Sequence, residues 1–219
     1  MRIKKILCLS ALLMLINFTV QPKDVADYFI DMPSYLMPTF ESSYRVELLE
    51  NHLESGRDSL ENLFGTKVVL LELDTINQHI VLQSTSSSRF EMQIIEHQND
   101  TLIGIINTVC GPVCSSYIQF FDTEWKEVKV DFPKHDITQW LKADNSPEEN
   151  KFVKDLVKVS FVDLYFNPKE KVVEVKNNSP EYLSKEDRTV VSGLLAENNL
   201  KVSFSKLSRV VESKVKEKK

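Results

Sequence analysis

The sequence predicts an α+β protein: N-terminal helices, then an antiparallel β-meander, then a second section of helices and strands. Three observations carry this. Apolar residues recur at helical spacing between residues 24 and 64, and the period changes to two from Lys67 onward. The links between the alternating runs are a few residues long, whereas parallel strands need crossovers of about a dozen residues or more. Helix-start signals then return after Pro133.

A leader precedes these elements. Arg2, Lys4 and Lys5 form a positive patch, and Ile6 to Val20 run without a charge, the n-region and h-region of a secretory signal peptide. As a helix that run reaches only about 22 Å, against roughly 30 Å of bilayer hydrocarbon. A cleaved signal over residues 1–22 is therefore expected, cut between Thr19 and Pro22, with no stable membrane span in the mature chain. Cys8 follows Leu7 and precedes the apolar run, so it is no lipid-acceptor site. The formal net charge of −5 over 219 residues becomes −8 once Arg2, Lys4 and Lys5 are lost. An acidic product argues against nucleic acid and anionic membrane as partners. Residues 212–219 read as a charged, solvated tail.

Taken in order, residues 24 to 64 are helical with breaks. Val25, Tyr28 and Phe29 share a face, Pro33 and Pro38 interrupt it, and Val46, Leu49 and Leu53 line the next helix as far as Gly56. A short helix over Asp58 to Phe64 is expected to follow. Lys67 to Asp74 is dense in Val and Leu and reads as a strand buried on both faces, with Gln78 to Ser84 returning across the Thr75-Ile76-Asn77 turn. Phe90, Met92 and Ile94 alternate with Arg89, Glu91 and Gln93, which predicts a strand with one wet face. Thr101 to Val109 returns after Asn99-Asp100, and Tyr117 to Phe121 and Trp125 to Val130 add two strands around an Asp122 turn.

Beyond Pro133, Asp136 and Gln139 open a short helix holding Ile137, Trp140 and Leu141. Ser146-Pro147-Glu148-Glu149 combines a serine cap, proline at the first position and a returning glutamate; Phe152, Val153, Leu156 and Val157 are its expected buried side. Residues 158–166 and 170–176 read as a hairpin around Asn167-Pro168-Lys169. A helix from Ser184 carries Val190, Val191, Leu194 and Leu195, and a last strand is expected over Leu200 to Leu207. Residues 23–133 and 134–211 thus form two sections with a seam at Ala143 to Pro147. They fit one continuous antiparallel sheet with helices on one face, or a loose duplication.

Cys110 and Cys114 bracket Gly111-Pro112-Val113 between two expected strands, which places them opposite each other and within disulfide reach. A thioredoxin-like redox pair is the sharper alternative, but that chemistry needs a helix N-terminus at the reactive thiol, and strands flank this motif. His52, His79, His97 and His135 are scattered without metal-ligand spacing and read as surface residues. No G-x-S-x-G, Walker, G-x-G-x-x-G or H-E-x-x-H pattern occurs, so no catalytic residue, metal or cofactor is assigned. Tyr117, Phe121, Asp122 and Trp125 are the candidate binding surface, weighed against plain core packing for the aromatics. The sequons at Asn99 and Asn177 are expected on surface turns.

Two blocks resemble a known family. One is Tyr28-Phe29 through Met32-Pro33, Leu36 to Pro38 and Arg45 to Leu49. The other runs from Asp100-Thr101 through Asn107-Thr108-Val109-Cys110-Gly111-Pro112-Val113-Cys114 to Phe120-Phe121-Asp122-Thr123-Glu124-Trp125. With the leader, they are similar to the secreted Bacteroidales family designated domain of unknown function 3256. The resemblance implies a Gram-negative periplasmic or surface location and carries over no catalytic residue. The layout is also similar to β-lactamase-inhibitor-like folds. The resulting expectation is a non-catalytic envelope protein that binds a protein or glycan. The alternatives are an envelope hydrolase whose carboxylates or hydroxyls meet only in the fold, and a structural subunit that pairs through a sheet edge.

Overall fold

The computed structural model describes residues 22–97, 100–133 and 136–210. The expected leader up to Gln21, the sequon residue Asn99, His135 and the tail beyond Val210 lie outside the described residues. Among the described residues two short helices come first, α1 (Val25–Asp31) and α2 (Ser42–Ser55). Asp24 caps α1 by accepting from the amides of Ala26 and Asp27, while Asp27 reaches back to the Asp24 amide. Helix α2 stops at Gly56, whose φ of 66° lets its N–H close onto the carbonyl of His52.

The buried stripe of α2 is Arg45, Leu48 and Leu49, not the Val46, Leu49 and Leu53 of the sequence reading; Leu53 is exposed. Arg45 accounts for the difference. The break at Pro33 and Pro38 strands backbone carbonyls, and the guanidinium donates to those of Phe40 (3.0 Å), Ile30 (3.1 Å) and Met32. A charged side chain therefore sits where an apolar one was expected, tying α1 to α2.

A six-stranded antiparallel meander follows: β1 (Ser59–Glu61), β2 (Lys67–Asp74), β3 (His79–Thr85), β4 (Ser88–His97), β5 (Asp100–Cys110) and β6 (Cys114–Phe121), in that spatial order. The helix expected over Asp58 to Phe64 is instead β1 and a tight turn. There the Asn62 side chain accepts from the amides of Phe64 and Thr66, each at 2.9 Å, and so competes with helix. The strand expected over Trp125 to Val130 does not form. The Asp122 carboxylate captures the amides of Glu124 and Lys126, and Trp125 takes φ 65°, leaving single bridges at Glu127 and Val130.

The second section holds α3 (Pro147–Leu156), β7 (Val162–Asn167), β8 (Val172–Asn177), α4 (Lys185–Leu194) and β9 (Asn199–Ser203). The capping box at Ser146 and Glu149 is present. Phe152, expected inward, is exposed, as is Val190, while Val153, Val157, Val191 and Leu195 are buried. The last strand ends at Ser203, where the Ser203 hydroxyl starts a 3-10 turn over Phe204–Lys206. Strands β7, β8 and β9 form a separate three-stranded sheet, so the continuous-sheet alternative is not what the chain does.

The large sheet carries a layer on each face. Phe90, Met92, Ile94, Ile103 and Ile105 point toward α1 and α2. Ile95, Leu102, Ile106 and Phe120 point the other way, into a core shared with Val162, Leu164, Phe166, Val173 and Val175 of the small sheet and Val191 of α4. The face of β4 expected to be wet is therefore covered: Glu91 and Gln93 are buried. Strand β2, expected to be buried on both faces, lies toward the sheet edge, and its Leu71 is exposed.

The two sheets come into close contact at Gly104. A Cβ there would lie 2.7 Å from Cζ of Phe166 and 3.4 Å from Cε1 of Phe120. Gly104→Val should force these rings apart and cost about 1–3 kcal/mol in urea unfolding, the range for overpacked cores; an unchanged midpoint would show that the sheets do not touch there.

Candidate functional site

Strand geometry sends every second side chain of β4 to one face. On the face toward the small sheet these are Arg89, Glu91, Gln93, Ile95 and His97, a mostly polar row inside the molecule. Its first half is sealed. The Arg89 guanidinium donates from Nε to Glu91 Oε1 (2.6 Å) and from Nη2 to Asp163 Oδ1 (2.9 Å) and the Leu164 carbonyl (2.8 Å). The Tyr165 ring lies 3.9 Å from the guanidinium carbon. The remaining carboxylate oxygens are also engaged: Glu91 Oε2 accepts from the Phe166 amide at 3.0 Å, and Asp163 Oδ2 accepts from the Tyr165 hydroxyl. Ser116 extends the seam, donating to Asp163 Oδ1 while accepting from the Leu164 amide. His79, expected at the surface, is buried with Nε2 3.5 Å from Glu91 Oε2.

Burial pushes the Arg89 guanidinium down, but Glu91, Tyr165 and Asp163 together outweigh it and hold the group above its ordinary value. Burial pushes the Tyr165 phenol up, and its hydrogen bond to Asp163 adds to that. Both arrangements keep charge on the arginine and the proton on the phenol.

The second half of the row borders a cleft. Arg89 and Glu91 lie under Asp163 to Phe166, and β4 then runs on past the β7–β8 turn. Beyond it lies a cleft of about 1040 Å³, walled by Gln93, Ile95, Glu96, His97, Asp100 and Leu102 on one side and by Pro168, Lys171 and the segment from Ser203 to Arg209 on the other. Its volume matches pockets that hold small molecules, roughly 300–1,000 Å³. Gln93 is 2% exposed; its Nε2 donates to the carbonyls of Asn77 (2.9 Å) and Ile94 (2.8 Å), while its Oε1 has no protein partner. His97 Nε2 is likewise buried and unpaired. Arg209 grips Asp100 through two contacts, Nη2–Oδ1 at 2.6 Å and Nε–Oδ2 at 2.5 Å, closing one end. Among the described residues no cluster of three His, Cys, Asp or Glu side chains could hold a metal ion, and no helix is long and apolar enough to cross a membrane.

A model of the family described as "Protein of unknown function (DUF3256)" matches residues 17–205. The chain belongs to this family. Among solved structures, a domain of an uncharacterized protein from Porphyromonas gingivalis W83 is similar, with a TM-score of 0.69 at 20% identity, covering 83% of this chain and 96% of that one. At that identity the likeness shows the fold alone, and this DUF3256 chain shares it. A comparison with curated proteins finds no match.

Within the DUF3256 chain, Cys110 and Cys114 form a disulfide across the β5–β6 hairpin. Tyr117, Phe121, Asp122 and Trp125 are not brought onto one surface. Tyr117 is 56% exposed on the helix-side face of β6, whereas Phe121 on the same face is 1% exposed under the helices. Trp125 packs on Phe121 with ring centroids 5.8 Å apart, and Asp122 is occupied by its turn. The sequon at Asn177 is not on a surface turn: Asn177 and Asn178 are buried, the first accepting from the Ser179 amide and the second donating to the Cys114 carbonyl. The residues sequence reasoning missed are Arg89, Glu91, Gln93 and His97. Their signal is a mostly polar row at strict alternation, which the sequence alone places facing water.

Arg89→Met leaves Glu91 and Asp163 buried without their cation and should cost about 3–5 kcal/mol in denaturant unfolding. Adding Glu91→Gln and Asp163→Asn should recover part of this. A single-variant loss of about 1 kcal/mol or less, the size for an exposed pair, would show that the seam is solvated. Tyr165 gives a pH signature. Its phenol is raised in the fold above the unfolded value of about 10, so the stability it supplies is full below that value and is lost as pH rises through the folded pKa. Stability should therefore fall above about pH 10, and less steeply in Tyr165→Phe; parallel profiles for the two proteins would count against a buried phenol.

Proposed function

We propose that this protein is an exported envelope component, periplasmic or on the cell surface, which binds a protein or glycan partner without transforming it. The cleft beyond the β7–β8 turn is the binding site. One observation carries this reading: strand β4 and the segment around Ser203 and Arg209 enclose a cleft of about 1040 Å³ that mixes polar and charged side chains, among them His97, Lys171 and Ser205, with apolar ones, the size and lining of a ligand site.

The chemistry around the cleft supports binding over hydrolysis. The two buried carboxylates that do converge, Glu91 and Asp163, are held on Arg89 with all their oxygens hydrogen-bonded within the seam, so neither presents an oxygen to a substrate. Of the cleft's own acids, Asp100 is committed to Arg209. The leader pattern and the secreted character of the family it resembles support export.

The test is hydrogen exchange on the mature chain mixed with fractionated envelope extract of its own organism. One fraction should slow exchange at residues 93–97 and 203–209 while remaining chemically unchanged. Slowed exchange nowhere in the cleft, or turnover of the bound component, would remove the proposal.

A further inference from the structure

We infer that β9 is a docking edge, which takes an extended segment of another protein as a fourth strand of the small sheet, paired at Asn199, Lys201 and Ser203. Nothing about it depends on what the cleft holds.

Strand β8 uses only half of the backbone groups of β9. Asn198 accepts from the Asn177 amide at 2.7 Å, Phe204 donates to the Lys171 carbonyl at 2.8 Å, and the register between them runs without a shift. Opposed residues of an antiparallel pair alternate between bonded and unbonded, so Leu200 and Val202 bond to β8. Asn199 and Lys201 then turn N–H and C=O to the other side, and Ser203 turns its N–H there. Among the described residues no strand pairs with that side. A row of free donors and acceptors at strand spacing is matched by an extended backbone.

The other sheet edges are blunted. In β7 the Leu164 amide donates to Ser116 Oγ (3.0 Å), the Leu164 carbonyl accepts from Arg89 (2.8 Å), and the Phe166 amide donates to Glu91 (3.0 Å). In β6 the Cys114 carbonyl accepts from Asn178 (3.1 Å) and the Phe120 carbonyl from the Val128 amide (2.9 Å). Strand β1 has only three residues. Among the described residues β9 has none of the usual guards, which are a proline, a bulge, an outward charge or a covering segment. Its one charge, Lys201, is drawn back over β8 by Glu174 (3.8 Å) and by Glu170 in the β7–β8 turn (2.5 Å).

The side chains define the occupant. Leu200 and Val202 sit half-buried at the rim of the core shared by the two sheets, while Asn199 and Lys201 are exposed on the outer face. An added strand therefore places apolar residues beside Leu200 and Val202 and polar ones between them. A second copy of β9 has that alternation, but the register that sets Leu200 against Val202 also sets Lys201 against Lys201. Like charges directly opposed are unfavourable. A foreign segment with a neutral or acidic residue at that place avoids the clash.

The experiment is amide hydrogen exchange, read by NMR, on the mature chain with the end-blocked peptide Thr-Val-Glu-Val-Thr as probe. In the free protein the Lys201 amide should exchange faster than those of Leu200 and Val202, which are bonded to β8. Peptide at about ten times its dissociation constant should slow exchange at Lys201 about tenfold, with Asn199 and Ser203 following and residues 93–97 unchanged. The same peptide, methylated on the backbone nitrogens of its pairing side, should lose binding. Lys201→Pro should lose it too while the chain still folds, because that N–H serves no bond within the sheet; the methylated peptide decides the matter if the variant does not fold. A Lys201 amide already slow in the free protein, an absence of saturable binding, or protection confined to residues 93–97 would overturn the docking edge. Protection of Asn199 and Lys201 that rises with protein concentration alone would overturn the foreign segment in favour of a second copy.

Discussion

The attraction of Arg89 for two carboxylates from different sheets is what the arrangement depends on. Glu91 comes from the large sheet and Asp163 from the small one, and the guanidinium holds both in a space with little water. Apolar contacts alone would press the sheets together without fixing how one slides over the other, because dispersion and burial are nearly indifferent to register. A planar cation with directed donors is not indifferent. Moving β7 along β4 would separate Asp163 and the Leu164 carbonyl from Nη2, and the Phe166 amide from Glu91, all at once. Burying such a triad is a weak source of net stability but an effective constraint on register.

That constraint reaches both sections of the chain. Asp163 also takes the Ser116 hydroxyl, which in turn bonds Thr108, so β5 and β6 are tied to the same cluster. Asn178 donates to the Cys114 carbonyl, bringing the end of β8 to the disulfide hairpin. The residues after Pro133 are therefore bound to the first sheet by directional contacts as well as by the shared core around Ile106 and Phe120.

Much of the fold was legible because it is written in local signals. The capping box at Ser146, the glycine stop at Gly56 and the alternation that marks β4 as a strand each act within a few residues, and each formed where expected. What failed depended on partners distant in the chain. Arg45 reads as a surface residue until the broken helix supplies three carbonyls for it. Glu91 and Gln93 read as wet until residues some 70 positions later cover them, since alternation reports two different faces but not which one meets water. Asp122 and Asn62 failed for another reason: a side chain that captures nearby amides outcompetes regular pairing, and propensity counting does not weigh that competition. The candidate site was illegible for the same reason as the seam, because Gln93 and His97 acquire their meaning only once the second sheet defines an inside.

The mismatch in strand length then explains why a cleft exists at all. β4 is 10 residues long, while β7 and β8 are 6 each. At about 3.3 Å per residue the large sheet outreaches the small one by roughly 13 Å. The Arg89 cluster clamps the two near the start of β4, so the whole excess emerges at the other end, beyond the β7–β8 turn. The Gln93 to His97 stretch occupies that overhang. It remains part of a wall because the segment from Phe204 to Arg209 returns to it, with Arg209 closing on Asp100. One electrostatic clamp placed off-centre thus accounts for a face that is sealed at one end and bordered by a cleft at the other; a clamp at mid-strand would have divided the overhang between the two ends.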